Sequence, residues 1–409
     1  MTGTDATAAV TRAHHEEWAR VVASLTRRFG DLDVAEEAAA EAFATAVVRW
    51  PVDGVPPNPG AWLTTTANRK AIDRIRREHK RDDKHKEAQM LYDDPPEHLG
   101  AIDDERLRLV FTCCHPALAM EARVALTLRM VGGLTVPEIA RAFLVQESAM
   151  GQRITRAKAK IKAARIPYRV PSADDLPSRL SGVLAVLFLV FNEGYLATGP
   201  DTDPVRQDLT AEAIRLTRLV RALVPADGEV AGLLALMLLI EARRTARVSA
   251  GGVLVSLDQQ DRGAWDAALV AEGHELVRAR LASGEAPGRY QVLAAINAVH
   301  TSARDVRDTD WSQVAALYDQ LVRLDPSPVV ALNRAVAVAE LDGPEVALAV
   351  VDRLEGALAG YHAFHATRAD LLRRLGRSAQ ARAAYDRAID LAGNSAETAY
   401  LTGRRDQLV

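Results

Sequence analysis

The chain has 409 residues, of which 48% are hydrophobic, and a formal net charge of −3. This length allows two to four domains with sizeable cores. The longest apolar runs, residues 183–191 and 230–240, are far shorter than the roughly 20 residues of a membrane-spanning helix. Residues 1–12 also lack the order of a signal peptide, so we expect a cytoplasmic protein without a membrane segment.

The charge is unevenly distributed along the chain. Residues 1–170 carry 26 basic and 23 acidic side chains, whereas residues 171–409 carry 25 and 31. A mildly basic front half suits contact with DNA. An acidic rear half either covers basic helices or repels DNA.

A basic segment runs from Arg69 to Lys86, where nine Lys or Arg outnumber four acidic residues. Ile72 and Ile75 are spaced to form the buried side of a helix. The preceding loop, residues 56–60, is rich in proline and leads into Trp62 at a helix start. We expect Trp62 to pack in the core, with base stacking as the alternative. The loop either forms a pocket for an unstacked base or is a plain connector.

Residues 87–102 have the composition of a linker, with Asp93-Asp94-Pro95-Pro96 and Gly100. Such a segment is expected to tether its neighbours rather than to pack against them. We therefore place one part at residues 10–86 and the next at residues 103–170, where Pro167 and Pro171 end the helical pattern.

The two cysteines, Cys113 and Cys114, are adjacent and are followed by His115. Neighbouring cysteines are poor disulfide partners for each other, and a structural zinc site needs four ligands from spaced pairs. We interpret them as buried small residues at a helix end and expect no metal site.

Residues 135–162 have the pattern of a helix-turn-helix. In the second helix Met150, Ile154, Ala157 and Ile161 form one apolar stripe. Seven Lys or Arg and no acid lie between residues 153 and 169, which suits a surface that contacts phosphates, although a solvated basic helix without a ligand is the alternative. The predicted DNA contacts are Gln152, Arg153 and Arg156 toward bases, Lys158 and Lys160 nearer phosphates, and Ser148 on the same face.

The rear half is rich in Ala and Leu, and its periodicity predicts helices only, so the expected fold class is all α. In residues 301–409 three similar segments, which begin at Leu317, Val350 and Ala384, are spaced by 33 and 34 residues. This is the tetratricopeptide period, and such repeats form concave faces that bind a peptide or protein partner, or else a rigid buttress. Residues 171–300 are helical by pattern. Within them, residues 191–195 and 251–261 are candidates for an interface, and neither has the partners that catalysis needs.

Three segments in order resemble the extracytoplasmic-function sigma factors of bacterial RNA polymerase. Residues 61–77 are similar to the helix that contacts and melts the minus-ten element, residues 35–50 to the helix that binds the polymerase clamp, and residues 123–162 to the domain that contacts the minus-thirty-five element. A helical repeat extension identifies the subgroup. The resemblance implies core RNA polymerase and promoter DNA as partners, and an extension that regulates in place of a membrane-bound anti-sigma factor.

The resemblance also implies the roles of individual residues. The residues implied in minus-ten contact and melting are Asn58, Trp62, Asn68, Arg69, Asp73, Arg74, Arg76 and Arg77. The residues implied in polymerase binding are Glu36, Glu37, Glu41, Phe43, Arg49 and Trp50.

The recognition helix departs from the family pattern at two positions. Gly151 occupies a position that is more often basic, and Leu144 replaces the usual turn glycine. Glycine inside a helix costs about 0.5–1 kcal/mol relative to alanine, so we expect this helix to be weaker by itself.

Two other classes of protein compete with the sigma factor. A repressor or activator with a ligand- or peptide-sensing repeat domain would need neither the Glu36-Glu37-Glu41 helix nor the proline-rich loop. An enzyme acting on nucleic acid would need a metal cluster or a phosphate-binding glycine loop, and the sequence contains no motif for either. We therefore expect no catalytic residues and no cofactor.

Overall fold

The computed structural model describes residues 3–81, 105–142, 145–172, 174–196, 205–249 and 252–408. The predicted linker at residues 87–102 and the turn position Leu144 lie outside the described residues. Within them the regular secondary structure is helical, and isolated bridge residues, such as the pair Val248 and Leu254, occur between helices. The all-α prediction is confirmed.

The chain divides into two compact units. Unit 1 is Met1–Val190 with Ala211–Leu219, and unit 2 is Phe191–Thr210 with Val220–Val409. The expected boundary at residue 170 does not coincide with this division, because the next helix, which begins at Leu176, packs its first part within unit 1. In that helix Arg179 Nη2 donates to the carbonyl oxygen of Phe111 at 2.6 Å.

Unit 1 begins with three helices: α1 (Gly3–Phe29), α2 (Leu32–Asp53) and α3 (Pro59–Arg81). Each of the three packs against the other two. Asp31 caps the start of α2, because its carboxylate accepts from the backbone N–H groups of Asp33 and Val34 at 2.9 and 3.3 Å. The three-helix core positions the basic helix α3 beside the acidic helix α2.

Four shorter helices follow in unit 1: α4 (Glu105–Cys113), α5 (Met120–Met130), α6 (Val136–Ala142) and α7 (Glu147–Ala163). Helix α6 packs on both α5 and α7, and α4 packs on α1. The predicted apolar stripe of α7 is buried at all four positions. This confirms the helix-turn-helix and leaves the opposite side of α7 outside the core.

Two helices connect the units, α8 (Leu176–Tyr195) and α9 (Gln207–Leu223). Unit 2 then contains α10 (Gly228–Glu241), α11 (Arg244–Arg247), α12 (Ala267–Ala282) and α13 (Arg289–Ser302). Helix α10 is buried on every side from Val230 to Leu239 and packs against α12 and α13. Its apolar run is thus a core helix, and none of the described helices combines the length and apolarity needed to cross a membrane.

The remaining helices are α14 (Trp311–Leu324), α15 (Pro328–Leu341), α16 (Pro344–Asp352), α17 (Glu355–Leu358), α18 (His362–Arg374), α19 (Ser378–Leu391) and α20 (Ser395–Asp406). The three similar segments begin in α14, α16 and α19. Helix α13 crosses residue 301, the predicted start of the repeats, and packs on α14. Gly376, with a φ of 71°, follows the end of α18 in the left-handed conformation that favours glycine.

Candidate nucleic-acid interface

Helix α7 presents a polar face to solvent. Ser148, Gln152, Arg156 and Lys160 are exposed, and Arg153 is half-buried. The Nε of Arg156 donates to the carbonyl oxygen of Gln152 at 3.3 Å, one turn earlier. Five of the six predicted minus-thirty-five contacts therefore lie on the accessible side of the helix or at its edge.

Helix α6, which precedes α7, makes local hydrogen bonds at its start and near its end. Thr135 and Glu138 cap α6 reciprocally: Glu138 Oε2 accepts from the Thr135 N–H at 2.7 Å, and the Glu138 N–H donates to Thr135 Oγ1 at 3.4 Å. The Val145 N–H donates to the carbonyl oxygen of Ala140 at 3.0 Å. Helix α7 continues through Gly151, where an added Cβ would meet only Val136 Cγ1, at 3.9 Å.

Lys158 is the predicted DNA contact that the structure places elsewhere. Its Nζ lies 2.6 Å from Asp33 Oδ1 and 2.5 Å from Glu36 Oε2, and its side chain is only 10% exposed. Glu36 also pairs with Arg129 at 2.6 Å, and Lys162 pairs with Asp31 at 2.7 Å. These residues of α2, α5 and α7, together with Asp31 before α2, form what we call the Glu36 cluster: Asp31, Asp33, Glu36, Arg129, Lys158 and Lys162.

The Glu36 cluster is strongly coupled electrostatically. Burial raises the pKa of the Glu36 carboxyl, but Arg129 and Lys158 outweigh burial and hold the pKa below its ordinary value of 4.5. For Lys158, burial lowers the pKa, whereas Glu36 and Asp33 raise it beyond the ordinary 10.5. Both groups are therefore charged at neutral pH, and Lys158 cannot reach a phosphate while it keeps these partners.

Helix α3 has an exposed face of mixed charge. Arg69, Asp73, Arg76 and Arg77 are exposed and recur at the spacing of one helix side. Arg74 instead forms an ion pair with Glu37 of α2. The structure thus divides the predicted minus-ten residues into an outward set and one arginine that joins α3 to α2.

Asn68 and Asn58 make structural hydrogen bonds in and before α3. Asn68 Nδ2 donates to the carbonyl oxygen of Thr64 at 2.9 Å, and its Oδ1 accepts from Arg28 Nη1 at 3.3 Å. Asn58 Oδ1 accepts from the Ala61 N–H at 3.0 Å, which makes Asn58 the N-cap of a helix whose first residue is proline. Because this hydrogen bond holds Oδ1, it also fixes the orientation of the side-chain Nδ2 group of Asn58.

Trp62 is half-buried, with its ring centroid 5.6 Å from that of Trp50 in an edge-to-face arrangement. This packing agrees with the expected core role, although part of the ring stays accessible. Trp50 itself is only 1% exposed, and Phe43 is buried against Trp18 with their centroids 5.7 Å apart. Phe43 and Trp50 are therefore corrected from polymerase contacts to core residues, because neither has surface to offer a partner in this structure.

The other predicted polymerase contacts occupy different positions on α2. Glu37, Glu41 and Arg49 are exposed, whereas Glu36 lies in the Glu36 cluster. The same helix also carries an apolar patch that is not among the predicted contacts: Val48 is 72% and Val52 83% exposed, with Val47 beside them. These valines lie outside the buried stripe of α2. Apolar residues at such positions are the sequence signal that could have identified the patch.

Cys113 and Cys114 are fully buried at the end of α4. Burial raises the pKa of the Cys114 thiol to about 12, despite a contact with Thr127 Oγ1 at 3.6 Å. Burial likewise raises the pKa of Cys113 well above its ordinary value. Both thiols are therefore protonated and shielded at neutral pH, as expected for small core residues.

Comparisons with known proteins agree with this geometry. Residues 14–81 match the model of sigma-70 region 2, residues 108–161 match that of sigma-70 region 4, and residues 179–281 match a family of unknown function, DUF6596. The chain is also 45% identical over 397 residues to an uncharacterized protein of Rhizobium meliloti (strain 1021), an alignment that covers 95% of this chain and 93% of the relative. The chain belongs to the sigma-70 family, as a sigma factor of the extracytoplasmic-function type that serves promoter-specific transcription and carries a helical C-terminal extension.

Proposed function

We propose that this sigma factor binds the clamp region of core RNA polymerase through the outer face of α2 and directs the enzyme to promoters in the cytoplasm. In this proposal α7 contacts the minus-thirty-five element, and α3 with its proline-rich loop holds the opened minus-ten strand. The observation that carries the proposal is the pair of outward polar faces, on α3 and on α7, in two sigma regions of one chain.

The roles on α7 follow from exposure. Gln152 and Arg156 are exposed and Arg153 lies at the edge of the same face, so these three are assigned to base edges in the major groove. Ser148 and Lys160 lie on this face nearer its ends and are assigned to the phosphate backbone.

The roles on α3 are assigned to strand opening rather than first contact. Opening must unstack bases, and the exposed Arg69, Arg76 and Arg77 can neutralise the phosphates of the freed strand. Trp62, half-buried beside the loop, offers a partly accessible ring to a base.

The polymerase-binding face of α2 combines charge with apolar surface. Glu41 and Arg49 supply the polar contacts, and Val48 and Val52 supply an apolar centre, the combination typical of protein interfaces. Glu37 and Arg74 pair with each other beside this face, so their contribution is to position α3 against α2.

The Glu36 cluster must open during this cycle if Lys158 is to meet DNA. While Glu36 and Asp33 hold Lys158, sigma regions 2 and 4 are joined through the same helix that is proposed to meet the polymerase. We infer that polymerase binding competes with this contact, and that the free protein is less able to bind promoters than the assembled enzyme.

The C-terminal extension is proposed to regulate the sigma regions without chemistry of its own and without a cofactor. Its net charge of −6 over residues 171–409 is weak for electrostatic masking, since salt screens exposed charges beyond about 8 Å. We therefore favour an extension that braces the sigma regions. Its repeats would additionally bind a peptide or protein partner.

In vitro transcription with purified core polymerase tests the proposed function. Promoters that the protein enriches on overexpression in the host should give transcripts only when both protein and core are present. Tight binding by the protein alone, with no transcript from any such promoter, would instead identify a repressor or activator with a sensing repeat domain.

A further inference from the structure

Three arginines of unit 2, one buried and two half-buried, lie in a region that no role above uses. Arg243 follows the end of α10, Arg247 ends the short helix α11, and Arg262 begins a 3-10 turn. Arg247 is only 6% exposed. We call Arg243, Arg247 and Arg262 the arginine cluster, because the charge of Arg243 is influenced by both of the others.

Each of the three guanidinium groups has contacts that hold it in place. Arg262 Nη1 donates to the carbonyl oxygens of His300 and Ala303, both at 2.7 Å. The guanidinium carbon of Arg247 lies 3.3 Å from the centroid of the Tyr195 ring. Arg243 Nη2 donates to Asn297 Oδ1 at 3.3 Å. These contacts orient the three side chains and leave other N–H groups unused.

Several nitrogen atoms of the arginine cluster and of His300 have no hydrogen-bond partner. Among the described residues, buried side-chain atoms without a hydrogen-bond partner include Arg243 Nε, Arg247 Nε and Nη2, Arg262 Nη2 and His300 Nδ1. Buried polar groups in native proteins are normally paired, and a buried guanidinium without a partner is costly. Unused donors from several side chains in one place indicate a missing acceptor.

The charge of the region indicates that the acceptor is an anion. Glu241 is the carboxylate that influences Arg247, and it already pairs with Arg244 at 2.9 Å. Burial lowers the pKa values of Arg243 and Arg247. Burial, followed by Arg243 and Arg262, lowers the pKa of His300 to about 4, so this ring is neutral at physiological pH and adds no charge.

Solvent can reach the edge of this region. A groove of about 770 Å³ runs along the repeat helices of unit 2, and His300 lines it together with Leu257, Asp258 and Trp311. The carbonyl oxygens that hold Arg262 belong to His300 and to Ala303, close to the same wall. The groove has room for a small metabolite beside His300, and the three arginines lie behind this wall rather than on it.

We propose that the arginine cluster is a binding site for the phosphate group of a small molecule, which reaches it from the His300 end of the groove. Guanidinium groups match phosphate oxygens through paired N–H donors, and a phosphate monoester can compensate two of the buried charges at once. A site buried in this way admits a small ligand rather than the backbone of a nucleic acid. The proposal thus assigns a ligand class to the segment of unknown function.

Calorimetric titration of the full chain with inorganic phosphate, against chloride at the same ionic strength, tests the site. Wild type should bind phosphate, and Arg243→Gln should weaken binding about tenfold or more, the expected loss for a charge-assisted hydrogen bond. Arg387→Gln, an exposed arginine of α19, is the matched control and should change affinity less than about twofold. Equal losses in both variants, or no phosphate response in wild type beyond that of chloride, would overturn the site.

A second variant separates ligand binding from a structural role. Arg247→Met removes a buried charge, so the ligand-free protein should be as stable as wild type or more stable, while the phosphate-dependent rise in melting temperature disappears. A less stable variant that keeps the wild-type phosphate response would show a structural arginine. Glycerol 3-phosphate binding more tightly than inorganic phosphate would identify a phosphorylated metabolite, and the reverse order the free ion. Succinate binding as tightly as either would overturn the preference for phosphate.

These titrations need neither polymerase nor promoter. A failure of the phosphate site would therefore leave the proposed sigma function untouched, and a failure of transcription would leave the site open to the same measurement.

Discussion

Lys158 of the recognition helix and Glu36 of α2 form a largely buried ion pair, with Nζ and Oε2 2.5 Å apart and side chains 10% and 12% exposed. One partner was predicted to contact DNA and the other to contact the polymerase. Because the two side chains pair with each other, neither of these two residues is available to its predicted partner in this structure.

Glu36→Gln should weaken the contact between α2 and α7. The neutral amide leaves Lys158 with Asp33 as its remaining charged partner, so we expect a loss of about 1–3 kcal/mol in the free energy of unfolding. Free Glu36→Gln protein should also bind promoter DNA more tightly than wild type in fluorescence anisotropy, because Lys158 is then held by one carboxylate instead of two. Glu37→Gln, which affects the exposed pair with Arg74, is the control and should change stability by less than about 0.5 kcal/mol. Unchanged DNA affinity in Glu36→Gln would refute the competition.

The stability from the Glu36 cluster should depend on pH with a definite sign. The pKa of Glu36 is lowered in the folded protein, so its contribution is complete above the ordinary value of 4.5 and is lost as pH falls through the lowered value. The pKa of Lys158 is raised, so its contribution is complete below the ordinary 10.5 and is lost as pH rises beyond it. The stability difference between wild type and Glu36→Gln, measured by urea unfolding, should shrink on acidification from neutral pH. A difference that stays constant into the acidic range would contradict this assignment.

Substitutions on the exposed face of α7 should separate base contacts from phosphate contacts. Arg156→Ala, and Arg153→Ala at the edge of the face, should each cost about 1–3 kcal/mol in promoter binding and relax sequence preference. Lys160→Ala should weaken binding to all sequences alike and lower the salt dependence by about one unit. Binding to specific and scrambled promoters over a range of salt measures both effects. If all three variants lose affinity equally on both DNAs, α7 does not contact bases.

Asn58 has to be tested with its capping role held constant. Asn58→Ala removes the N-cap of α3, at a cost of about 0.5–2 kcal/mol, whereas Asn58→Asp keeps an acceptor for the Ala61 N–H but replaces the amide NH2 group by a negatively charged oxygen. The added charge is present with both templates, so the difference between the templates, and not the loss by itself, reports on the amide. If the amide holds an unstacked base, Asn58→Asp should reduce transcription from duplex promoters more than from templates already mismatched at the minus-ten element. Full activity of Asn58→Asp on both templates would limit Asn58 to capping.

Removal of the extension should lower promoter-dependent transcription if the extension braces the sigma regions. A chain ending at residue 170 would lose the Arg179 contact with Phe111 and the first part of α8. A loss of transcription in that chain would therefore not distinguish lost bracing from damage to unit 1. A chain ending at Leu223, the end of α9, keeps every residue of unit 1 and is the sharper variant. Separately expressed residues 224–409 should then bind this shorter chain in a pull-down assay. If the shorter chain is fully active and does not bind residues 224–409, the extension does not brace the sigma regions, and the predicted repeats bind another partner.

Periodicity in the sequence determined the elements with a repeating signal. The stripe Met150, Ile154, Ala157 and Ile161 is buried as predicted, because residues at this spacing share one side of a helix whatever packs against it. The segments that begin at Leu317, Val350 and Ala384 each start within a helix, as their periodicity predicts, and their assignment to tetratricopeptide repeats stays a prediction. The family also followed from the sequence, through the order of its two sigma regions.

Only the tertiary structure decided which polar groups meet. Lys158 lies on the polar side of α7 by spacing, but its long side chain can extend in several directions, and the acids of α2, more than a hundred residues away in sequence, determine the one it takes. Trp50 and Phe43 belong to the core because α1 and α3 cover them. Arg243, Arg247 and Arg262 share no period, and they converge only because the chain folds back between α11 and α12. Long-range electrostatic pairing leaves no periodic signal in a sequence. The contacts that join sigma regions 2 and 4, and those that form the arginine cluster, could therefore be identified only from the folded chain.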